Sequence, residues 1–207
     1  MTLLSRVQLR ELAKARRLPL SKKLGVLNEN IIERLLGFYY ESRNRNMISE
    51  SVVSRKERNI PIENIDYVSE NYGQIYLQQL RSGGDPTNRY DYCDPVCKEI
   101  VESIESVVGA ACRMRLASLK TGAEIPEHID DPKQHRVIAL LNGQHDFIQN
   151  TKMGTATVKM KIGELWYVNT AFPHRVNNTG EYERIVLLID LLDSKLLHID
   201  RCTEDTE

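Results

Sequence analysis

The 207-residue chain has no apolar run long enough to cross a membrane; its longest near the end, Ile185–Ile189, is strand-sized. It opens without the apolar stretch and small residues of an export signal, so a cytoplasmic location is expected. Its net charge is only −1, which removes the global argument for a nucleic acid or an anionic membrane as partner. Its four cysteines (Cys93, Cys97, Cys112, Cys202) do not form a disulfide pattern, and reduced thiols are expected. Cys93 and Cys97 would need two more ligands to hold a metal, and none is evident. Internal repeats and low-complexity segments are also missing. The one charge asymmetry is at the start, where Arg6, Arg10, Lys14, Arg16, Arg17, Lys22 and Lys23 face Glu11 alone. A targeting peptide or a nucleic-acid arm competes there with the solvated face of an amphipathic helix. The helix is preferred, because Leu4, Val7, Leu12 and Ala15 can form its other face.

The length suits a single domain, 1–207, and the hydrophobic period divides it. Residues 1–110 read as a mostly helical portion packing on the second half of the chain. A helix is expected over residues 5–17. A second, capped by Asn28, carries Ile32, Leu35, Leu36 and Tyr39 on one face. A third follows Asp94-Pro95, shows Ile100, Ile104, Val107 and Val108, and stops at Gly109. Between the last two, residues 44–94 are polar and irregular, with tyrosines from Tyr67 to Tyr92 that suit a substrate lid or plain packing.

After Gly109 the period becomes two. Arg113 and Arg115 alternate with Cys112, Met114 and Leu116; Ala156, Val158, Met160 and Ile162 alternate with Thr157, Lys159 and Lys161. Strands are also expected over residues 135–141, 146–149, 164–168 and 184–192, separated by turn-forming residues such as Asn142-Gly143 and Met153-Gly154. About eight strands in roughly eighty residues imply a barrel or jelly roll over 111–192, with a charged tail at 193–207.

His128-Ile129-Asp130 is an H-x-D pair at a strand end, where alternate side chains share a side. Alone it is weak. His174 follows 46 residues later, just before another strand. Two imidazoles and one carboxylate on one face of an octahedral ion leave three positions open, the facial triad of non-haem Fe(II) oxygenases. Arg184, ten residues further, begins an apolar strand and needs an anionic partner if it points inward. A dicarboxylic cosubstrate meeting the metal at one end and Arg184 at the other satisfies both demands.

These residues carry a resemblance. Arg115-Leu116 through Gly122 to His128-Ile129-Asp130, then Gly163–Asn169, then His174-Arg175-Val176-Asn177-Asn178-Thr179-Gly180, Arg184 and Asp190 together resemble the aspartyl/asparaginyl β-hydroxylase family of 2-oxoglutarate-dependent dioxygenases, in the branch that includes the cis-proline hydroxylases. The resemblance covers about residues 112–192. It implies a double-stranded β-helix with helices outside, hence a mainly β, α+β fold. It implies Fe(2+) on His128, Asp130 and His174, with 2-oxoglutarate and O2 as cosubstrates. It implies that Arg184 holds the C5 carboxylate of 2-oxoglutarate, and that Arg136 is a pocket arginine for a substrate or cosubstrate carboxylate. Asp130 places the chain with the full-triad members and not with halogenases.

The implied reaction is hydroxylation of an unactivated C–H bond of an amino acid, free or in a small peptide or natural product. The expected partner is a small amino-acid-like molecule, with a homodimer left open. Two rivals use the same barrel: a cupin-like metal-dependent isomerase, which has no need of Arg184, and a non-catalytic binding module, which has no need of an intact triad. His135 reads as a solvated loop residue, His145 and His198 as structural or exposed, Trp166 as a core aromatic, and Asn169 as a turn residue or a neighbour of the metal.

Overall fold

The computed structural model describes residues 16, 18–44, 72–79, 91–92, 95–130 and 135–191. The expected helix over 5–17, most of the tyrosine-bearing segment, His198 and the tail lie outside them. In chain order the elements are β1 (Ser21–Val26), α1 (Glu29–Asn44), β2 (Tyr72–Gln79), β3 (Asp91–Tyr92), α2 (Pro95–Val108), β4 (Ala111–Leu119), β5 (Glu124–His128), β6 (His135–Asn142), β7 (Asp146–Thr151), β8 (Gly154–Lys159), β9 (Glu164–Val168), β10 (His174–Asn177) and β11 (Arg184–Leu191).

The strands form two sheets facing one another. The large sheet runs β1-β9-β6-β11-β4-β2-β3 and the small one β5-β10-β7-β8. Every described pairing between named strands is antiparallel. Eight strands fall between residues 111 and 191, as their turn signals imply. The chain is therefore mostly β, and the helical first half is only partly realised: β1, β2 and β3 come from it and extend the large sheet. β1 was not expected, because Ser21–Val26 is short and half-exposed and takes its backbone partners from β9.

Two apolar layers explain why β11 is buried at all eight positions. On the outer face, Ile185, Leu187 and Ile189 join Met114, Leu116, Val137 and Ala139 against Leu35 and Tyr39 of α1 and Ile100 and Ile104 of α2. On the inner face, Val186 and Leu188 join Ala117, Ile138, Ile125, Phe147 and Val176 between the sheets. Asn28 caps α1 by accepting from the Asn30 amide at 2.9 Å, and Gly109, at φ 83°, ends α2. Two sequence assignments are corrected. Val107 is 54% exposed, and Val101 packs in its place beside Ile100 and Ile104. The strand expected through Ile162 stops at Lys159, and Ile162, 55% exposed, leaves the alternation as the chain turns at Gly163 (φ 83°).

Candidate metal centre

β10 lies between β5 and β7, and its register sets His174 directly opposite His128 on one side and Gln149 on the other. The two imidazole rings are 4.3 Å apart. Phe147, two residues before Gln149 on β7 and so on the same inner face, stacks on His174 at 5.0 Å. Asp130 lies just past the end of β5, where its amide donates to Thr170 O at 3.0 Å. Its carboxylate is 3.6 Å from His128 Nε2 and 3.9 Å from His174 Nε2. One ligand atom from each of His128, Asp130 and His174 lies within 4.8 Å of the others, and all three residues are buried. This is the one such group among the described residues.

The local chain fixes which ring nitrogen is offered. His128 Nδ1 donates to Pro126 O at 2.7 Å and His174 Nδ1 donates to Phe172 O at 2.9 Å. A carbonyl only accepts, so each Nδ1 carries the proton and each Nε2 presents its lone pair toward Asp130. Burial, with His128 beside it, holds His174 down to about 3, so it is neutral at ordinary pH.

Asp130 is itself positioned. Arg136 Nη1 pairs with Asp130 Oδ2. Arg136 Nε donates to Asp190 Oδ1 at 2.8 Å. The other oxygen of Asp190 accepts from Arg113 and Arg115, each at 2.7 Å. Asp190 is fully buried, and burial alone would raise its pKa, but the three arginines hold it well below the usual carboxylate range. For Arg136, burial works to lower the pKa, and Asp130 and Asp190 outweigh it. A chain of charge-assisted hydrogen bonds thus runs from β4 through β11 and β6 to the Asp130 carboxylate and fixes its orientation.

A cavity between the sheets is lined by Tyr72, Ile138, Phe147 and Leu188, with His128, His174, Arg136 and Arg184 at its polar points. Arg184 enters from the other end of β11 and is 2% exposed. Among the described residues, its Nε and Nη1 have no hydrogen-bond partner. Burial lowers its pKa to about 10. The donor set therefore fits Fe(II), and the two open nitrogens of Arg184 fit a dicarboxylate reaching from the metal.

All five residues singled out by sequence come together around this cavity. Arg136 lines it, with two nitrogens already engaged by the protein's own carboxylates. Sequence reading quoted Arg115 and Asp190 within the family resemblance and gave neither a role. Their signal is a charged residue inside a strand whose other positions are apolar, which requires a buried partner. Trp166 is half-buried and donates to Glu164 at 3.0 Å, and Asn169 serves its turn by accepting from the Ala171 amide at 3.2 Å. Tyr72, one of the scattered tyrosines, is a cavity wall.

Residues 49–194 match the model of the family described as Aspartyl/Asparaginyl beta-hydroxylase. No curated protein matches the chain in sequence. Among solved structures, a prolyl-4-hydroxylase from Pseudomonas putida is similar at 12% identity and TM-score 0.51, over 82% of this chain and 89% of that one, a likeness of fold. An oxidoreductase of the 2OG-Fe(II) oxygenase family from Burkholderia pseudomallei is similar at 15% identity and TM-score 0.45, over 57% of this chain and 65% of that one. The chain thus spans less than two thirds of the Burkholderia protein's length. With the matched segment covering most of its length, the chain belongs to the aspartyl/asparaginyl β-hydroxylase family.

Proposed function

We propose that the chain hydroxylates an unactivated C–H bond of an amino acid, free or within a small peptide, using iron held by His128, Asp130 and His174. The observation that carries this reading is one cavity with a complete facial donor set at one end and, at the other, a buried arginine whose Nε and Nη1 have no partner among the described residues. Iron bound there, with 2-oxoglutarate and oxygen, supplies the oxidation: the substrate C–H becomes C–OH as 2-oxoglutarate becomes succinate and carbon dioxide.

The protein's part is orientation and exclusion of water. His128 and His174 offer fixed Nε2 lone pairs because their Nδ1 protons are held by backbone carbonyls. Arg136 keeps one oxygen of Asp130 engaged, which leaves the other for the metal. Arg184 takes the far carboxylate of the cosubstrate. Ile125, Ile138, Phe147, Val176 and Leu188 keep the space between dry, so both charged contacts act at low dielectric. An isomerase on this barrel has no use for a bare buried guanidinium, and a binding module has no use for a complete donor set.

The test is a panel of amino acids and short peptides incubated with Fe(II), 2-oxoglutarate and air, scored for succinate and for substrate gaining one oxygen atom. Substrate-dependent succinate from the wild type, absent in His174→Ala, is expected. No product from any amino-acid-like substrate would remove that substrate class.

A further inference from the structure

Each carbonyl of residues 169–173, the loop joining β9 to β10, accepts a hydrogen bond from another part of the chain. Asn169 O accepts from Gln149 Nε2 at 3.0 Å, and Thr170 O accepts from the Asp130 amide at 3.0 Å. Ala171 O accepts from Arg16 Nε at 3.4 Å. Phe172 O accepts from His174 Nδ1 at 2.9 Å, and Pro173 O from the Asn150 amide at 2.8 Å. Two members of the donor set thus hang on this loop, Asp130 by its backbone and His174 by its ring. Gln149, held by the same loop, lies directly across from His174 in the register of β10 with β7. A shift of the loop therefore moves Asp130 and His174 against His128, whose ring is held separately by Pro126 O.

The loop lies outside the strand ladders, so its position is set by what packs on it. The chain just before β1 does this. The β1–β9 pairing ends at Ser21 and Val168, and one further bond carries it into the loop, where the Asn169 amide donates to Leu20 O at 2.9 Å. Asn169 Nδ2 faces Leu18 O and Pro19 O, each at 3.4 Å, while its Oδ1 accepts from the Ala171 amide and shapes the turn. Arg16, one of the basic residues at the start of the chain, lies over the Phe172 ring, 5.4 Å from its centroid. Contacts at 3.4 Å are individually weak. Their arrangement is what counts: Asn169 is gripped at one end of the loop and Phe172 near the other, by residues 150 to 155 positions away in the chain.

We propose that Arg16 and residues 18–20 form a strap that sets the geometry of the metal site through the 169–173 loop, with Arg16 and Asn169 as positioning residues. This rests on the metal site of the function proposed above and adds to it residues outside the donor set. Outer partners of metal ligands hold them in the orientation the ion requires. Here the hold passes through one loop to the start of the chain. A loosened strap leaves all three ligands present but lets Asp130 and His174 drift apart, which weakens the metal without unfolding the protein.

The test is Co(II) titration of the metal-free chain, reading affinity and visible spectrum, beside urea unfolding of the same metal-free protein. Arg16 is an exposed residue, so Arg16→Ala keeps the fold. This variant is expected to keep the wild-type urea midpoint yet bind Co(II) about tenfold more weakly, the low end of what losing an outer partner costs, with a shifted spectrum. Arg16→Lys, which keeps a cation for the Phe172 ring, recovers part of the affinity. Asn169→Asp keeps the acceptor for the Ala171 amide and loses the donor to Leu18 and Pro19, so it weakens Co(II) in the same direction. In Zn(II)-loaded Arg16→Ala the Nδ1–H resonance of His174 exchanges with solvent faster than in wild type. A shift of the urea midpoint alone, with Co(II) affinity and spectrum of Arg16→Ala at their wild-type values, overturns the proposal. A wild type that binds no divalent metal is a different result and overturns the functional reading beneath it.

Discussion

Arg184 should cost the ligand-free protein stability. Its folded pKa is about 10 against an ordinary 12.5. That difference corresponds to about 3 kcal/mol held against the native state wherever the side chain must stay charged. The sign is set by the direction of the shift: a cation with a lowered folded pKa destabilises the fold at every pH below about 10, and the penalty is relieved only as pH rises through that value. Arg184→Met keeps the length and removes the charge. At pH 7, without ligand, the variant is expected to be more stable by about 2–3 kcal/mol, of the order of the relieved penalty. Urea unfolding followed by Trp166, the chain's single tryptophan, measures this. Adding 2-oxoglutarate with metal at a hundred times its Kd should stabilise the wild type by about 2.7 kcal/mol and leave the variant unmoved. A variant less stable than wild type, still stabilised by 2-oxoglutarate, would refute the reasoning and make Arg184 an ordinary structural residue.

Asp190→Asn leaves Arg115 buried without its anion and Arg136 with Asp130 alone. It should destabilise the fold by about 3–5 kcal/mol and weaken metal binding about ten- to hundredfold, read by urea unfolding and Co(II) titration. Because the folded Asp190 pKa is depressed, its contribution is complete above the ordinary carboxylate pKa of about 3.9 and is lost as pH falls further toward the folded value; acid unfolding of the asparagine variant should lack that component. Gly143→Ala combines positive φ with a 2.9 Å approach to Glu183 O and should cost about 1–3 kcal/mol in the same assay. Asp130→Ala should abolish hydroxylation while circular dichroism shows the fold intact, since Arg136 retains Asp190; full activity would remove Asp130 from the donor set.

How far the sequence is legible depends on how local each signal is. β7, β9 and β11 announce themselves through period and turn residues, and α1 through Asn28 and its i, i+3, i+4 pattern. The donor set was legible because H-x-D and a distant histidine have few other reasons to share that spacing. β2 was not, because Tyr72–Gln79 is polar for a strand and is held by pairing with β4, a contact distant in sequence. Arg136 illustrates the limit from the other side, since its spacing suggested a ligand while its pairing with Asp130 and Asp190 depends on the register of β6 with β11.

The most direct test of the central claim is anaerobic titration of the Fe(II)-loaded protein with 2-oxoglutarate, followed by visible absorbance. A weak metal-to-ligand charge-transfer band that saturates at one equivalent, is lost in His174→Ala and weakens in Arg184→Met is the predicted result. Iron demonstrably bound with no band at any 2-oxoglutarate concentration would contradict the account.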